Sequence, residues 1–239
     1  MEIFFREIED DFKWDSYVKS LPEYSFLNSS ARFRFNIEIG SKCFRFGIFD
    51  GDKFIGVITT AIYHSKLFGN FMDCKHSPLL REYTEEYMEN VTNFCKDLAR
   101  EHGCFMFRFS PLVEENDVLN KFYKSRGFFK APIHNVDALI SQHMDLNKSM
   151  EELKSDLSSS RKNRLNKLFR DESVGVKIFK SKEMFGLFED YHNETVKLKG
   201  YVDKPISQLM RELSIQQENG MCYMVVGYAD SVPISIWQC

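Results

Sequence analysis

The first part of the chain alternates between two hydrophobic patterns. Short apolar runs, several with polar residues at every second position, predict strands over residues 3–8, 44–49, 54–62, 71–74 and 104–109. Apolar residues spaced three and four apart predict helices over 10–20, 25–35, 83–101 and 116–125. The Asp-Gly turn at Asp50 and Gly51 joins two of these strands into a hairpin. Strands that alternate with helices indicate an α/β fold with a mixed sheet.

A basic amphipathic helix follows this first set of elements. Three serines lead into it, and Leu165, Leu168 and Phe169 lie between its positive charges. The charged residues are Arg161, Lys162, Arg164, Lys167 and Arg170. Gly175 is expected to end the helix, because glycine commonly follows the last helical turn.

The second half of the chain repeats the order of elements in the first half. It begins with a predicted strand over 143–146 and continues with helices over 182–197 and 205–218. It ends in a hairpin, VGYADSVPISIW (226–237), which aligns with FGIFDGDKFIGVI (46–58) when one residue is deleted. This similarity indicates an internal duplication.

The aligned hairpins also predict the domain boundaries. Gly227 aligns with Gly47, and Asp230 aligns with Asp50. A further region of sheet and helix follows the first hairpin, whereas the chain stops soon after the second. We therefore predict a first domain over 1–140 and a second over 141–239 that is truncated on its C-terminal side. A truncated copy leaves a sheet edge unpaired, which favours aggregation.

Composition and charge exclude several classes of protein. Hydrophobic residues make up 43% of the chain and charged residues 28%, as in ordinary globular proteins. At a net charge of −3 the whole surface does not attract nucleic acid, so no DNA partner is expected. No apolar stretch approaches the roughly 20 residues that span a bilayer, and the acidic N-terminus is unlike a signal peptide. The six cysteines lack metal-ligand spacing, which favours a reduced, cytoplasmic protein without a metal.

Two segments resemble the fold of the GNAT acyltransferases. They are the hairpin strand DKFIGVI (52–58) and the helix ending NKFYKSRGFF (120–129). Together with the duplication, this resemblance implies tandem GNAT-like acyltransferase domains, the second one incomplete. GNAT enzymes hold the coenzyme A pyrophosphate in a glycine-rich loop at a helix N-terminus. The matching segment here, HSPLLREYTEEY (76–87), has no glycine, and we therefore expect no coenzyme.

Four segments resemble the FemABX family of aminoacyl transferases, which form the peptide bridges of peptidoglycan. They are FLNS (26–29), CKHSPLL (74–80), FRFSP (107–111) and DLNKSMEELKSDLSSSRKNRLNKL (145–168). The resemblance implies transfer of an amino acid from aminoacyl-tRNA to the peptide of a UDP-sugar or lipid-linked peptidoglycan precursor. It also implies that no metal or cofactor is needed, and that the protein is cytoplasmic, with at most a peripheral contact with the inner face of the membrane.

The same resemblance implies a set of substrate-binding residues. In the family, basic residues between the domains hold the phosphates of the precursor, a role that Arg161 and Arg164 share here, with Lys167 close by on the same helix. The remaining candidates are Asn28, Lys75, His76 and Arg108. The sequence has no Ser/His/Asp or Cys/His signature, and no catalytic residue is assigned.

Each of these residues also has a simpler interpretation. The positive charges of the basic helix can form a solvated face, and Lys75 and His76 can be ordinary loop residues. Arg108 lies within an apolar strand, where it is either paired with a carboxylate or part of the wall of a substrate groove. The sequence leaves both interpretations open.

Departures from the family pattern leave two other functions open. Asn28 stands where the family usually has glutamine. The family also usually has a lysine downstream of this position, whereas the first lysine after Asn28 here is Lys42. One alternative is a GNAT-type N-acyltransferase that uses coenzyme A or a carrier protein. The other is a non-catalytic fragment that binds the precursor or RNA.

Overall fold

The computed structural model describes residues 2–114, 116–131, 144–145, 147–200 and 204–239. The chain divides into two compact units, Met1–Leu139 and Ile140–Cys239, and each is described by itself. The predicted strand over 143–146 includes residues 143 and 146, which lie outside the described residues. Within the described part of the chain, no helix combines the length and the apolar character that crossing a membrane requires.

A mixed sheet forms the centre of the first unit. Its strands run in the order β1-β2-β3-β4-β6, and the short β5 pairs with β3. They are β1 (Ile3–Glu7), β2 (Lys42–Asp50), β3 (Lys53–Ser65), β4 (Gly69–Lys75), β5 (Leu79–Leu80) and β6 (Cys104–Ser110). The pairs are antiparallel except for β4 and β6, which are parallel. This arrangement confirms the predicted α/β class with a mixed sheet.

Four α-helices accompany this sheet among the residues described for the first unit. They are α1 (Asp11–Lys19), α2 (Ser30–Glu38), α3 (Glu85–Glu101) and α4 (Asp117–Ser125). The predicted helix over 25–35 is a 3-10 turn, Phe26–Asn28, followed by α2. The two are separate because the Ser29 hydroxyl accepts a hydrogen bond from the backbone N–H of Arg32 and caps α2.

The sheet carries a packed layer on each face. On one face, Val91 and Cys95 of α3 belong to a core that includes Ile58 and Met72. On the other face, Trp14 of α1 packs in a cluster that includes Val57 and Leu79. Helix α3 connects the parallel strands β4 and β6, which carry the candidate site, and its apolar face packs in this core.

The second unit contains a three-stranded antiparallel sheet, β7-β8-β9, and four helices among its described residues. The strands are β7 (Val174–Phe179), β8 (Met224–Ala229) and β9 (Val232–Gln238), and the helices are α5 (Met150–Ser155), α6 (Ser159–Arg170), α7 (Phe185–Lys199) and α8 (Ile206–Glu218). Leu213, Cys222 and Met224 form its buried core. The helix predicted to end at Gly175 ends instead at Arg170. Gly175 lies within β7, so its role as a helix terminator was a wrong prediction.

One face of the second sheet is apolar and open to solvent. Ile178 pairs with Val225, and Val225 pairs with Trp237, so the three side chains lie on the same side of the sheet. Ile178 and Trp237 are exposed, and so is Val176 two residues before Ile178. The opposite side, with Met224 and Val226, is buried.

The two hairpins match more closely than their sequences do. Each has a two-residue turn, Gly51-Asp52 in the first and Asp230-Ser231 in the second. In each hairpin two residue pairs lie next to the turn, and the strand register shifts directly after them. The shift lies between Ile48 and Phe49 in the first hairpin and between Gly227 and Tyr228 in the second. Residues 46–58 therefore match 225–237 without a deletion.

The alignment of Gly47 with Gly227 is consequently wrong by one residue. The structural partner of Gly227 is Ile48, because both directly precede the register shift. The turn and the bulge determine the register of a hairpin, and neither is visible from matching glycines alone.

Two glycines of contrasting surroundings give a prediction about stability. A Cβ added to Gly56 in β3 would clash with the backbone oxygen of Leu79, whereas a Cβ on Gly186 in α7 would meet open space. We expect Gly56→Ala to lower the free energy of unfolding by about 1–3 kcal/mol through overpacking. Gly186→Ala should raise it by about 0.5–1 kcal/mol, because alanine loses less backbone entropy in a helix. Urea unfolding measures both, and equal effects of the two substitutions would contradict the packing at Gly56.

Candidate functional site

A loop after β4 is held in place by one buried asparagine. The Nδ2 atom of Asn28 donates to the carbonyl oxygen of His76 (3.0 Å) and lies 3.5 Å from that of Lys75. It also donates to the Thr59 hydroxyl at 3.3 Å. The Asn28 Oδ1 accepts from the backbone N–H of Ser25 at 3.3 Å, which closes the 3-10 turn. Asn28 is fully buried, so its position orders the loop rather than a ligand directly.

His76 has the strained backbone conformation in this loop. Its φ of 45° lies in the left-handed region that non-glycine residues rarely adopt. Its backbone N–H donates to the hydroxyl of Ser110 at the end of β6 (3.2 Å), and its Nδ1 lies 2.8 Å from the Ser25 hydroxyl. These contacts join the ends of β4 and β6 to the turn before α2.

A buried ion pair lies two register pairs before Lys75 and Ser110 on the same strands. Asp73 and Arg108 are register partners in the parallel pair β4 and β6. The Nε and Nη2 atoms of Arg108 donate to the two carboxylate oxygens of Asp73 at 3.0 and 2.6 Å. Such a bidentate pair is stronger and more rigid than a single charged hydrogen bond. Of the two interpretations of Arg108, the carboxylate pairing is present in the structure.

A small polar cavity of about 30 Å³ opens beside this ion pair. Its lining comes from α2, the residues before it, β3 and β4, and includes Arg32, Asn36, Thr60, Tyr63, Asp73 and Lys75. The Oδ1 atom of Asn36 and the Oγ1 atom of Thr60 are buried and have no hydrogen-bond partner within the described residues. Buried polar atoms without a partner cost free energy, so the cavity suits a polar group of a ligand or a water molecule.

The Arg32 guanidinium and the Tyr63 phenol, which both line this cavity, interact electrostatically. Burial raises the pKa of Tyr63, and the nearby Arg32 guanidinium opposes part of this effect. Burial also raises the pKa of Cys43 to about 12, again with Arg32 acting in the opposite direction. The Cys43 thiol therefore stays protonated near neutral pH and is a poor nucleophile.

Tyr123 packs in the core, with its hydroxyl 3.7 Å from the sulfur of Met88.

The N-terminus of α3 lies at the end of the segment that corresponds to the coenzyme A pyrophosphate loop of GNAT enzymes. The Thr84 hydroxyl caps this end by accepting from the N–H of Tyr87 at 3.2 Å. Glu85 and Glu86 follow in the first turn, and Arg126 pairs with Glu85 at 3.2 Å. The carboxylates are unfavourable to a pyrophosphate at this end of the helix. Among the described residues, no group of three or more His, Cys, Asp or Glu side chains could hold a metal ion.

Four of the predicted site residues come together in the first unit. Asn28 of the 3-10 turn contacts the backbone of Lys75, the last residue of β4, and of His76, which follows it, and Arg108 lies on the neighbouring strand β6. Sequence reasoning missed Asp73 and Arg32, which line the cavity with Lys75. A charged residue in each of two apolar strands, FMDC and FRFS, was the signal for the Asp73 pair.

The other three predicted residues lie on α6 in the second unit. Arg161, Arg164 and Lys167 are exposed. The Arg161 and Arg164 side chains form no ion pair or hydrogen bond with the described part of the chain. A cleft of about 240 Å³ on another side of α6 is lined by Lys154, Ser155, Lys162, Leu165 and Asn166 and by none of these three residues. The role of the helix in binding phosphate stays a prediction.

The comparisons with known proteins identify the fold. The crystal structure of FemX matches with a TM-score of 0.77 and 16% sequence identity over 95% of this chain. A probable acetyltransferase and glucosamine-6-phosphate N-acetyltransferase from Arabidopsis thaliana match with TM-scores of 0.42 and 0.40 and identities of 18% and 15%, over 60% and 61% of this chain and the whole of theirs. No family model matches the sequence, and no curated protein matches it significantly.

The first of these matches defines the fold class. The protein has the fold of FemX, which confirms at the level of the fold the resemblance that the four sequence segments indicated. The chain spans 57% of the length of the FemX chain.

Proposed function

We propose that this protein is an acyltransferase that moves an amino acid from aminoacyl-tRNA onto the peptide of a peptidoglycan precursor. The observation that carries the proposal is the FemX fold over 95% of the chain, together with the four matching sequence segments. The proposed reaction takes place in the cytoplasm and needs neither metal nor coenzyme. The domains over 1–140 and 141–239 are the proposed functional units.

The residues of the first unit are proposed to position the acceptor. Attack of an amine on an activated ester depends on orientation and proton removal more than on covalent catalysis. The Asp73 carboxylate, fixed by Arg108, offers hydrogen-bond acceptors to the amine of the peptide. Lys75 lines the same cavity and supplies a positive charge for a carboxylate or phosphate of the precursor.

The basic residues of α6 are proposed to hold the precursor's phosphates. Arginine suits this role because its planar guanidinium donates two parallel hydrogen bonds to phosphate and keeps its charge. Arg161 and Arg164 are exposed, so a ligand can reach both without displacing a side-chain partner. Lys167 on the same helix adds a third charge.

Calorimetric titration with a UDP-sugar pentapeptide tests this assignment. Each charge-assisted phosphate contact that is lost should weaken binding roughly ten- to a hundredfold. The variant Arg161→Ala/Arg164→Ala removes two arginines, so its affinity should fall by at least this factor. The matched control is Lys121→Ala/Lys124→Ala, which removes two exposed cations from α4. Unchanged affinity of the arginine variant, or no binding by a folded, monodisperse wild-type chain, would sink the proposed site.

A second titration separates this function from its closest rival. Acetyl-CoA binding would favour a GNAT-type N-acyltransferase. We expect none, because Glu85 and Glu86 occupy the first turn of α3 and Thr84 already caps it. Binding of RNA or precursor without turnover would instead indicate a non-catalytic module.

A further inference from the structure

Helix α6 is the most strongly charged segment of the described chain. Its sequence, Ser159–Arg170, contains five cations and no acidic residue, in a protein whose net charge is −3. Arg161, Arg164, Lys167 and Arg170 are exposed. The helix therefore presents a local positive field, although the net charge of the chain is negative.

The same helix exposes an apolar stripe. Leu165, Leu168 and Phe169 are spaced three and four residues apart and so lie on one side of the helix. Leu168 is 52% exposed and Phe169 is 63% exposed. By the helical repeat, Arg164 borders this stripe on one side and Lys162 on the other.

A cleft next to the stripe adds room for an anionic headgroup. Its volume is about 240 Å³, and Lys154, Lys162 and Asn166 are among its lining residues. The Lys162 ammonium donates to the carbonyl oxygen of Ser155 at 2.8 Å, which fixes it at the edge of the cleft. The Lys154 ammonium lies 4.8 Å from the centre of the Phe169 ring, so charge and apolar surface meet at one place.

We propose that α6 lies on the surface of an anionic lipid bilayer, with Leu168 and Phe169 in the interface and the flanking cations at the level of the lipid phosphates. A helix with a basic face and an exposed leucine and phenylalanine has the chemistry of interfacial binding. Nucleic acid would use the cations but would leave the leucine without a favourable contact. An anionic bilayer accounts for both the cations and the apolar side chains, because its headgroups attract the cations and its interface takes up the apolar side chains.

This docking bears on the acceptor of the proposed reaction, and that part of the inference rests on the proposed function. A helix at the membrane surface holds its cations where the diphosphate of a lipid-linked precursor lies. The lipid-linked precursor is then the acceptor, and the UDP-sugar pentapeptide, which carries the same peptide and a diphosphate, is its soluble analogue.

Vesicle sedimentation tests the docking directly. The full chain is mixed with vesicles of phosphatidylcholine alone, or of phosphatidylcholine with about a third phosphatidylglycerol. We expect binding to the anionic vesicles that weakens with salt, and at least about tenfold weaker binding to the neutral ones. Leu168→Ser/Phe169→Ser, which leaves the charge of the helix unchanged, should lower partitioning into anionic vesicles by about tenfold or more.

The chain offers a matched control for this variant. Leu67 and Phe68 form a second exposed Leu-Phe pair, 86% and 69% exposed, in the turn between β3 and β4. Leu67→Ser/Phe68→Ser makes the same chemical change away from the basic helix and should bind as wild type does. Circular dichroism confirms that each variant is folded. Equal loss in both variants, or equal binding to neutral and anionic vesicles, overturns the proposal.

A parallel titration separates this inference from the proposed function. With the soluble UDP-sugar pentapeptide, Leu168→Ser/Phe169→Ser should bind as wild type does, because the substitution removes apolar surface without adding a charge beside Arg164. Vesicle binding without precursor binding would keep the docking and reject the transferase site. Precursor binding without vesicle binding would reject the docking alone. Equal weakening of RNA binding by the same variant would assign this face to nucleic acid and also overturn the docking.

Discussion

Replacing Arg108 by alanine is expected to lower the free energy of unfolding by about 3–5 kcal/mol, because it leaves the buried Asp73 carboxylate without its partner. The guanidinium donates to both oxygens of that carboxylate, so the substitution removes both hydrogen bonds at once. Urea unfolding followed by circular dichroism measures the change.

The double variant Asp73→Asn/Arg108→Leu is the control for charge. It removes the carboxylate and the guanidinium together and keeps much of the volume, so it should recover a large part of the lost stability. If Arg108→Ala costs less than about 1 kcal/mol, the carboxylate is solvated and the cavity wall is not the rigid one described.

Replacing Asn28 by alanine is expected to cost about 2–4 kcal/mol, because several buried polar groups lose their partner at once. These are the carbonyl oxygens in the loop after β4, the Thr59 hydroxyl and the N–H of Ser25. The loop should also open more often, which hydrogen exchange of the His76 amide would detect, since that amide donates to Ser110.

Asn116 provides the comparison for Asn28→Ala. Its Oδ1 accepts from the N–H of Leu119 at 2.9 Å and caps α4, without contacts to a distant loop. Asn116→Ala should therefore cost about 1 kcal/mol, the ordinary value of a helix cap. A similar cost for both asparagines would show that Asn28 is only a cap and does not order the loop.

Most elements could be predicted from local patterns. The hairpin of β2 and β3 and the long helix α3 were placed within a few residues, because apolar spacing and turn residues act over short distances. Gly175 was misjudged because the end of α6 is set by Asp171, whose carboxylate accepts from the backbone N–H and hydroxyl of Ser173. A glycine four residues later is then available for the next strand.

The candidate site could be predicted only in part, and for a different physical reason. Asn28, Lys75 and His76 were found because they lie in short segments that resemble the FemABX family. Asp73 escaped because its partner Arg108 is 35 residues away, and the two meet only through the parallel register of β4 and β6. No local spacing reveals that register.

The two tryptophans of this chain stand in opposite surroundings. Trp14 is 0% exposed in the first unit, where its indole N–H donates to the carbonyl oxygen of Asn28 at 2.7 Å. Trp237 is 67% exposed on the open face of the second sheet. Their fluorescence should therefore differ in colour and in quenching by iodide, with Trp237 emitting at longer wavelength and losing intensity first. Trp237→Phe and Trp14→Phe then yield single-tryptophan proteins. The fluorescence of the first variant follows the unfolding of the first unit, and that of the second variant follows the unfolding of the second unit. A molecule that covers the open face of the second sheet should shift the fluorescence emission of Trp237 to shorter wavelength and leave that of Trp14 unchanged.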